Sequence, residues 1–395
     1  MTAAPPLARL VTGIGIAQII SWGTLFYSIA VLGAAMRAEL GIGEVALFAS
    51  FTAGLFASGL VAPRIGREID RRGGRYVLAG GSVVAAVAML MLALAPHPVM
   101  LCAGWVLAGV ASAACLYDPA FATLHRVTGH RYRRAVTLVT LFGGFASTVF
   151  WPLSQYLLDT VGWRAAYAIY AALHVGVCLP LHWLIVPGAE HVVEPASGTS
   201  HGPGAQGHAG PHAFAWLAAA FALVTFVSSA MAAHLITLLT VTGLAARDAV
   251  LIGALIGPMQ VAGRVMEFAF GRVVRPFAAG TLAFTLLAVA LLLFTQVHGV
   301  WIVALAFAIP YGWSNGVMTI VRGTVPAELF GGRGYGALLG RLARPQFIMK
   351  AIAPVTLTLL FAVDPARRLT AYTLLLVALA ALVCYLGAIR GHQRN

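Results

Sequence analysis

Long apolar stretches recur from one end of this chain to the other, separated by short arginine-bearing turns, and they leave it few ways to fold. About 20 apolar residues wound as an α-helix rise about 30 Å, the thickness of a bilayer's hydrocarbon core. On that ruler the 395 residues divide into twelve expected spans. The first six run near 10–33, 44–63, 76–95, 98–124, 135–157 and 164–186; the second six run near 214–240, 248–271, 277–296, 299–321, 337–362 and 370–389. Charged residues make up 9% of the chain and hydrophobic ones 60%, whereas a soluble domain is roughly one quarter charged. The expected fold is an all-α membrane protein of 12 transmembrane helices in two six-helix bundles, residues 1–186 and 214–395, joined by a cytoplasmic linker at 187–213.

The net charge of +13 would suggest nucleic acid in a soluble chain. Here its distribution reports topology instead. With both ends in the cytoplasm, 18 of 24 arginines fall on the inner side, among them Arg64, Arg67, Arg71, Arg72 and Arg75 after the second span and Arg126, Arg131, Arg133 and Arg134 after the fourth. Only Arg37, Arg164, Arg247, Arg367 and Arg368 fall outside, and Arg264 lies within a span. Positive charge on cytoplasmic loops fixes this orientation and predicts a multi-pass protein of the cell inner membrane. The first apolar run lacks a basic leader and small-residue cleavage site and reads as a retained helix. Cys102, Cys115, Cys178 and Cys384 are scattered through apolar segments and read as packing residues.

Residues 187–212 are rich in Gly, Pro, Ser and His and read as a solvated tether. Its His191, His201, His208 and His212 lack acid or cysteine partners at ligand spacing, so no metal is expected. The halves on either side echo one another. Gly66-Arg67 and Gly271-Arg272 each follow a second span, while Trp151-Pro152-Leu153 and Ala353-Pro354-Val355 occupy the fifth spans. In that alignment Lys350 falls opposite Thr148, so the lysine belongs to one half alone.

The loop Gly66-Arg67-Glu68-Ile69-Asp70-Arg71-Arg72-Gly73-Gly74-Arg75 joins the second and third spans. Its glycines allow close helix approach. Its placed acid can pair with basic residues or with a helix N-terminus on the neighbouring bundle, acting as a latch. The loop resembles the signature G-x-x-x-D-R-x-G-R-[RK] of the major facilitator superfamily, matched by Gly66, Asp70, Arg71, Gly73 and Arg75 and departing at Gly74. The twelve spans, the central linker, the weaker echo at Gly271 with Arg275 in the acid's place, and Gly162-Trp163-Arg164 extend the resemblance along the chain. It implies the major facilitator fold and secondary transport, with two bundles rocking about a central site. The residues agree, because no GxxxxGK[ST] loop is present to harness a nucleotide.

Ionisable residues inside a membrane are costly and mark function by default. Lys350 is the only lysine and falls near the middle of the eleventh span. Arg264 lies about 7 Å cytoplasmic of the middle of the eighth at 1.5 Å per residue. A planar guanidinium and a compact ammonium can together hold a carboxylate and a second polar group. This arrangement resembles the oxalate/formate antiporter and monocarboxylate transporter branches, in which a basic residue on the eighth span, and in the antiporter another on the eleventh, binds substrate carboxylate. Gln260 stands one turn before Arg264 where the monocarboxylate carriers often have an acid. The alternative for the two cations is internal pairing with the embedded acids Asp118 and Glu267.

Asp118, Glu267 and His234 are also the candidates to carry a coupling proton. Gln260, Tyr27, Asn315 and His234 are expected to complete a substrate site, with Gln18, Trp22, Tyr117, Trp151 and Trp313 as further polar or aromatic neighbours. Glu328 among Arg322, Arg333 and Arg341 resembles an inner gate network, weighed against an ordinary charged turn. The sequence thus predicts a secondary active transporter of a small organic anion, a mono- or dicarboxylate. It has no cofactor, catalytic set or nucleic-acid partner, works as a monomer in the lipid bilayer, and is coupled to protons or a counter-anion. The alternatives are a proton-coupled exporter of hydrophobic compounds, opposed by Arg264 and Lys350, and a membrane receptor without net transport.

Overall fold

The computed structural model describes residues 6–188, 212–271, 273–331, 334–364 and 368–390. The tether histidines His191, His201 and His208, together with Arg272 and Arg333, lie outside them. No strand occurs among the described residues, and nine helical stretches are long and apolar enough to cross a bilayer by length and composition. The chain packs as two compact units, one from residues 6–188 with 334–344, the other from 212–331 with 345–390.

The first unit opens with α1 (Leu7–Trp22), a five-residue π-helical turn (Gly23–Tyr27) and α2 (Ser28–Leu40), one uninterrupted helical stretch. Then come α3 (Glu44–Arg72), α4 (Gly74–Ala93), α5 (Pro98–Cys115), α6 (Tyr117–Thr128), α7 (Tyr132–Gly144) and α8 (Ala146–Leu173). A second π-helical turn (His174–Cys178) leads into α9 (Leu179–Ile185). At the first wide turn, threonine and serine take backbone carbonyls one turn back, as Thr24 donates to Ile20 O at 2.9 Å and Ser28 to Thr24 O at 2.7 Å. Such bonds compete with the regular ladder.

The expected fourth span is broken. Leu116 is extended (φ −79°, ψ −159°) and separates α5 from α6. The cause is Pro119, which has no N–H to give the carbonyl four residues back, that of Cys115. Gln18 fills the gap, its Nε2 donating to Cys115 O at 2.6 Å. Gln18 is therefore a fully buried tie between α1 and α5, where the sequence suggested a cavity amide.

Within α8 the chain turns at Gly162 (φ 81°), a conformation that favours glycine. Just beyond it, the Arg164 guanidinium binds Glu39 at 2.7 Å and the carbonyls of Ala93 and Ala95 at 2.8 Å each, and the Trp163 indole also donates to Glu39. Gly162-Trp163-Arg164 is thus a folded corner.

The second unit comprises α10 (Ala213–Val241), α11 (Ala246–Phe270), α12 (Pro276–Phe294), α13 (Trp301–Phe330), the greater part of α14 (Tyr335–Val363) and α15 (Arg368–Arg390). Helices α11 and α13 cross on small residues. A Cβ on Gly316 or Gly312 would come closer than 3.0 Å to α11 backbone, and one on Gly263 would press on Trp313 O. Without a hydrophobic drive between helices in lipid, such close backbone packing supplies the association energy. Across the unit Ser314 donates to Ala283 O at 2.7 Å and Tyr385 to Phe277 O at 3.0 Å.

Candidate functional site

Several candidate residues of the second unit lie beside a missing donor. Pro354 lies inside α14 and cannot bond the carbonyl of residue 350. Ser229 of α10 takes over, its Oγ donating to Lys350 O at 2.8 Å. One turn further along, His234 Nε2 meets Pro354 O at 3.0 Å, and its ring packs edge-on against Phe361. His234 is therefore a helix-to-helix tie between α10 and α14, one ring nitrogen already engaged with a carbonyl.

The neighbouring Ser228 points to α13, where its Oγ donates to Asn315 Oδ1 at 2.9 Å, while Asn315 Nδ2 donates to Tyr311 O at 3.1 Å. The next residue of α13, Gly316, packs against the backbone carbonyl of Gln260 from α11. One turn along α11 come Arg264 and Glu267, the two buried charges of that helix, 6% and 8% exposed. Contacts thus step from Gln260 through Asn315 and the Ser228-Ser229 pair to Lys350. Each of these residues lies about 15 residues, roughly 22 Å, from the start of its own helix. Ser228 and Ser229 were not singled out from the sequence; the signal that could have found them is Pro354, which must leave a carbonyl to be satisfied. Removing the Ser229 hydroxyl by Ser229→Ala leaves Lys350 O without that donor, and an unmet buried carbonyl costs about 1–3 kcal/mol. The expected result is a lowered unfolding temperature in detergent, whereas Ser229→Thr, which keeps a hydroxyl, should stay near the wild type.

In the first unit the aromatic candidates form one connected set. Trp22 lies 5.1 Å from Tyr117 and 6.3 Å from Tyr27, and Tyr27 lies 6.2 Å from the half-exposed Trp151, ring centroid to centroid. Tyr27 closes the first π-helical turn, whose extra residue sets its direction.

The loop after α3 meets a helix N-terminus. The Asp70 carboxylate accepts from the backbone N–H groups of Gly336 (2.9 Å) and Ala337 (2.7 Å), donors in the first turn of α14 that no helical carbonyl can reach, and this turn packs within the first unit. Glycine permits the approach, since a Cβ on Gly66 would run into Gly336 O and one on Gly340 into Ala62 O. Tyr335 fixes the same turn. It is fully buried, stacks on His125 at 4.1 Å and shares a 3.0 Å hydrogen bond with the Tyr132 hydroxyl. Asp118 lies half-buried in the first turn of α6.

Of the loop's other residues, Gly73 (φ 82°) ends α3, and Arg75 donates to Val186 O at 2.7 Å. Arg71 and Arg72 turn back to Glu68 at 3.8 and 2.6 Å on the exposed side. Arg126 donates to Asp70 O at 2.6 Å. At the far end of α13 in the second unit, Arg322 is half-buried and Glu328 exposed. Asp70→Asn keeps the shape but removes charge and one acceptor from the helix N-terminus. It is expected to cost about 1 kcal/mol, read as a lower unfolding temperature.

The family model described as Major Facilitator Superfamily matches residues 14–340. The chain belongs to the Major Facilitator Superfamily. As a member with long apolar helices it is a multi-pass membrane protein, and transporters of this superfamily bind small molecules. The human organic anion transporter MFSD10 (TETRAN) superposes with a TM-score of 0.73, covering 96% of this chain and 100% of that one at 15% identity, a likeness of fold alone. Monocarboxylate transporter 11 from Mus musculus is 32% identical over 120 residues, 30% of this chain and 27% of that protein. Its Homo sapiens counterpart is 34% identical over 134 residues, 32% of this chain and 28% of that protein. The matched region thus spans little more than a quarter of these relatives' length.

Proposed function

We propose that this superfamily member moves a small organic anion, a mono- or dicarboxylate, with Arg264 and Lys350 as its cationic anchors. The observation that carries this reading is the run of contacts in the second unit from α11 through α13 and α10 to the only lysine of the chain, at mid-helix in each case. A guanidinium supplies a bidentate fork for a carboxylate and an ammonium a point charge for a second oxygen. Gln260 and Asn315 flank the cations, and His234 orients α14. The local resemblance to the two monocarboxylate transporter 11 sequences and the shared fold with an organic anion transporter point the same way.

In this reading Asp118 and Glu267 are the acids available for a coupling proton, a counter-anion being the other driving partner. The protein sits in the cell inner membrane with both ends cytoplasmic. The test is a thermal-shift screen of the detergent-purified protein against mono- and dicarboxylates and their uncharged amides. A ligand at 100 times its Kd stabilises by about 2.7 kcal/mol, so at least one carboxylate should raise the unfolding temperature while its amide does not. If no anion stabilises the protein, the proposal fails.

A further inference from the structure

The first unit buries two histidines that the sequence reading passed over. His174 and His182 lie eight residues apart, in the second π-helical turn and in α9, and both are fully buried. Each is held by one hydroxyl: His174 Nε2 lies 2.8 Å from Thr24 Oγ1, and His182 Nδ1 lies 2.8 Å from Ser82 Oγ. Each hydroxyl also reaches a carbonyl one turn back on its own helix. Thr24 gives its proton to Ile20 O and Ser82 gives its own to Leu78 O, at 2.9 and 3.1 Å. With the proton on Nε2 of His174 and on Nδ1 of His182, each ring donates to its hydroxyl oxygen while the hydroxyl keeps its own bond to the carbonyl. The opposite nitrogens, His174 Nδ1 and His182 Nε2, are buried with no hydrogen-bond partner among the described residues, and in that tautomer they are bare lone pairs.

Two basic lone pairs inside an apolar bundle want a donor, and the surroundings give little. Cys178 lies between the two histidines in sequence, and the Cys115 thiol of α5 meets the Ser82 hydroxyl that holds His182. The buried charged side chains among the described residues are Arg264, Glu267 and Asp364, all in the other unit. Arg75 of α4, at the end of α9, is committed to Val186 O. Among the described residues no carboxylate is recorded pairing with either ring, so an imidazolium formed here while the bundle is dry would be uncompensated.

We propose that His174 and His182 form a proton-loading site within the first unit, discharged in the conformation described here and charged in one that admits water to this helix. A proton from water adds to His174 Nδ1 or His182 Nε2; the opposite nitrogen keeps its hydrogen bond to Thr24 or Ser82, and the ring becomes a cation. Loading is thereby tied to opening of the segment, whatever substrate the protein carries.

The test is hydrogen–deuterium exchange of the full-length protein in detergent, followed in peptides covering 170–186 and corrected for the intrinsic pH dependence of exchange. His174→Gln keeps an Nε donor for Thr24 and His182→Asn keeps a donor at the Nδ1 position, and both remove the basic nitrogen. On acidification from about pH 8 to about pH 5, uptake in this segment should rise several-fold in the wild type and stay flat in the double variant. A pH-independent wild type, or an equal rise in the variant, overturns the proposal. Should the variant fail to fold, imidazole nitrogen NMR of the histidine-labelled wild type decides. Bare-nitrogen signals that move to the protonated range on acidification support the site, and signals that stay bare throughout sink it.

Discussion

Lys350→Ala is expected to weaken binding of a stabilising carboxylate by roughly 30-fold or more, since removing one member of a buried charge pair costs about 2–5 kcal/mol and each 1.4 kcal/mol is about tenfold. The variant is a cleaner probe than a buried charge deletion usually is. The bond that ties α10 to this point of α14 runs to the main-chain oxygen of residue 350, so truncating the side chain leaves it in place. Arg264→Ala should act in the same direction. It also leaves Glu267, three residues on and similarly buried, without its cationic neighbour, so its unligated stability should fall further than that of Lys350→Ala. Thermal-shift titration with the anion found by screening measures both. Two variants that respond to the anion as the wild type does would reduce Arg264 and Lys350 to internal charge balance.

Gly66→Ala is expected to destabilise the protein by about 3 kcal/mol, the upper end of the range for overpacking. The added methyl group would meet the carbonyl oxygen of Gly336, which is backbone and cannot rotate aside as a side chain would. Relief requires α3 and the first turn of α14 to separate. That movement also takes the Asp70 carboxylate off Gly336 and Ala337 and pulls Tyr335 away from His125 and Tyr132. Gly80→Ala is the matched control, since nothing lies within 4 Å of a Cβ there. Unfolding temperatures of the two variants in one detergent check the prediction, and similar values would show that the crossing tolerates a gap.

Much of this architecture could be read from residue order because bilayer physics is a one-dimensional constraint. The run near 214–240 is Ala213–Val241 in the structure, and the run near 277–296 is Pro276–Phe294, opened by a proline at its first position. Asp70 stood out as an acid among arginines and glycines, but that its partner would be the first turn of α14 could not be read from residue order. The break at Leu116 was hidden, since an apolar run carries no mark of a lost hydrogen bond; Pro119 was the clue, and its consequence appears only once Gln18 is brought across from α1. Pro354 poses the same problem and Ser229 answers it. His174 and His182 escaped notice because a lone histidine on an apolar face looks alike whether its second nitrogen is partnered or bare. That distinction depends on which carbonyl a neighbouring hydroxyl has already chosen, a fact of three dimensions.

The wide turn at Gly23–Tyr27 bears on how the gene can change. A π-helical turn holds one residue more than the α-helical turn it replaces, while α1 and α2 on either side remain ordinary helix. Losing one residue inside it would let the backbone close into regular α-helix with the faces of both flanking segments unchanged. Elsewhere in the same helix a one-residue deletion would rotate everything beyond it by about 100°, the angle each residue subtends at 3.6 per turn. This membrane helix therefore carries a single position where length can vary by one without reshuffling its contacts, and Tyr27 stands at its edge, able to change direction by deletion as readily as by substitution.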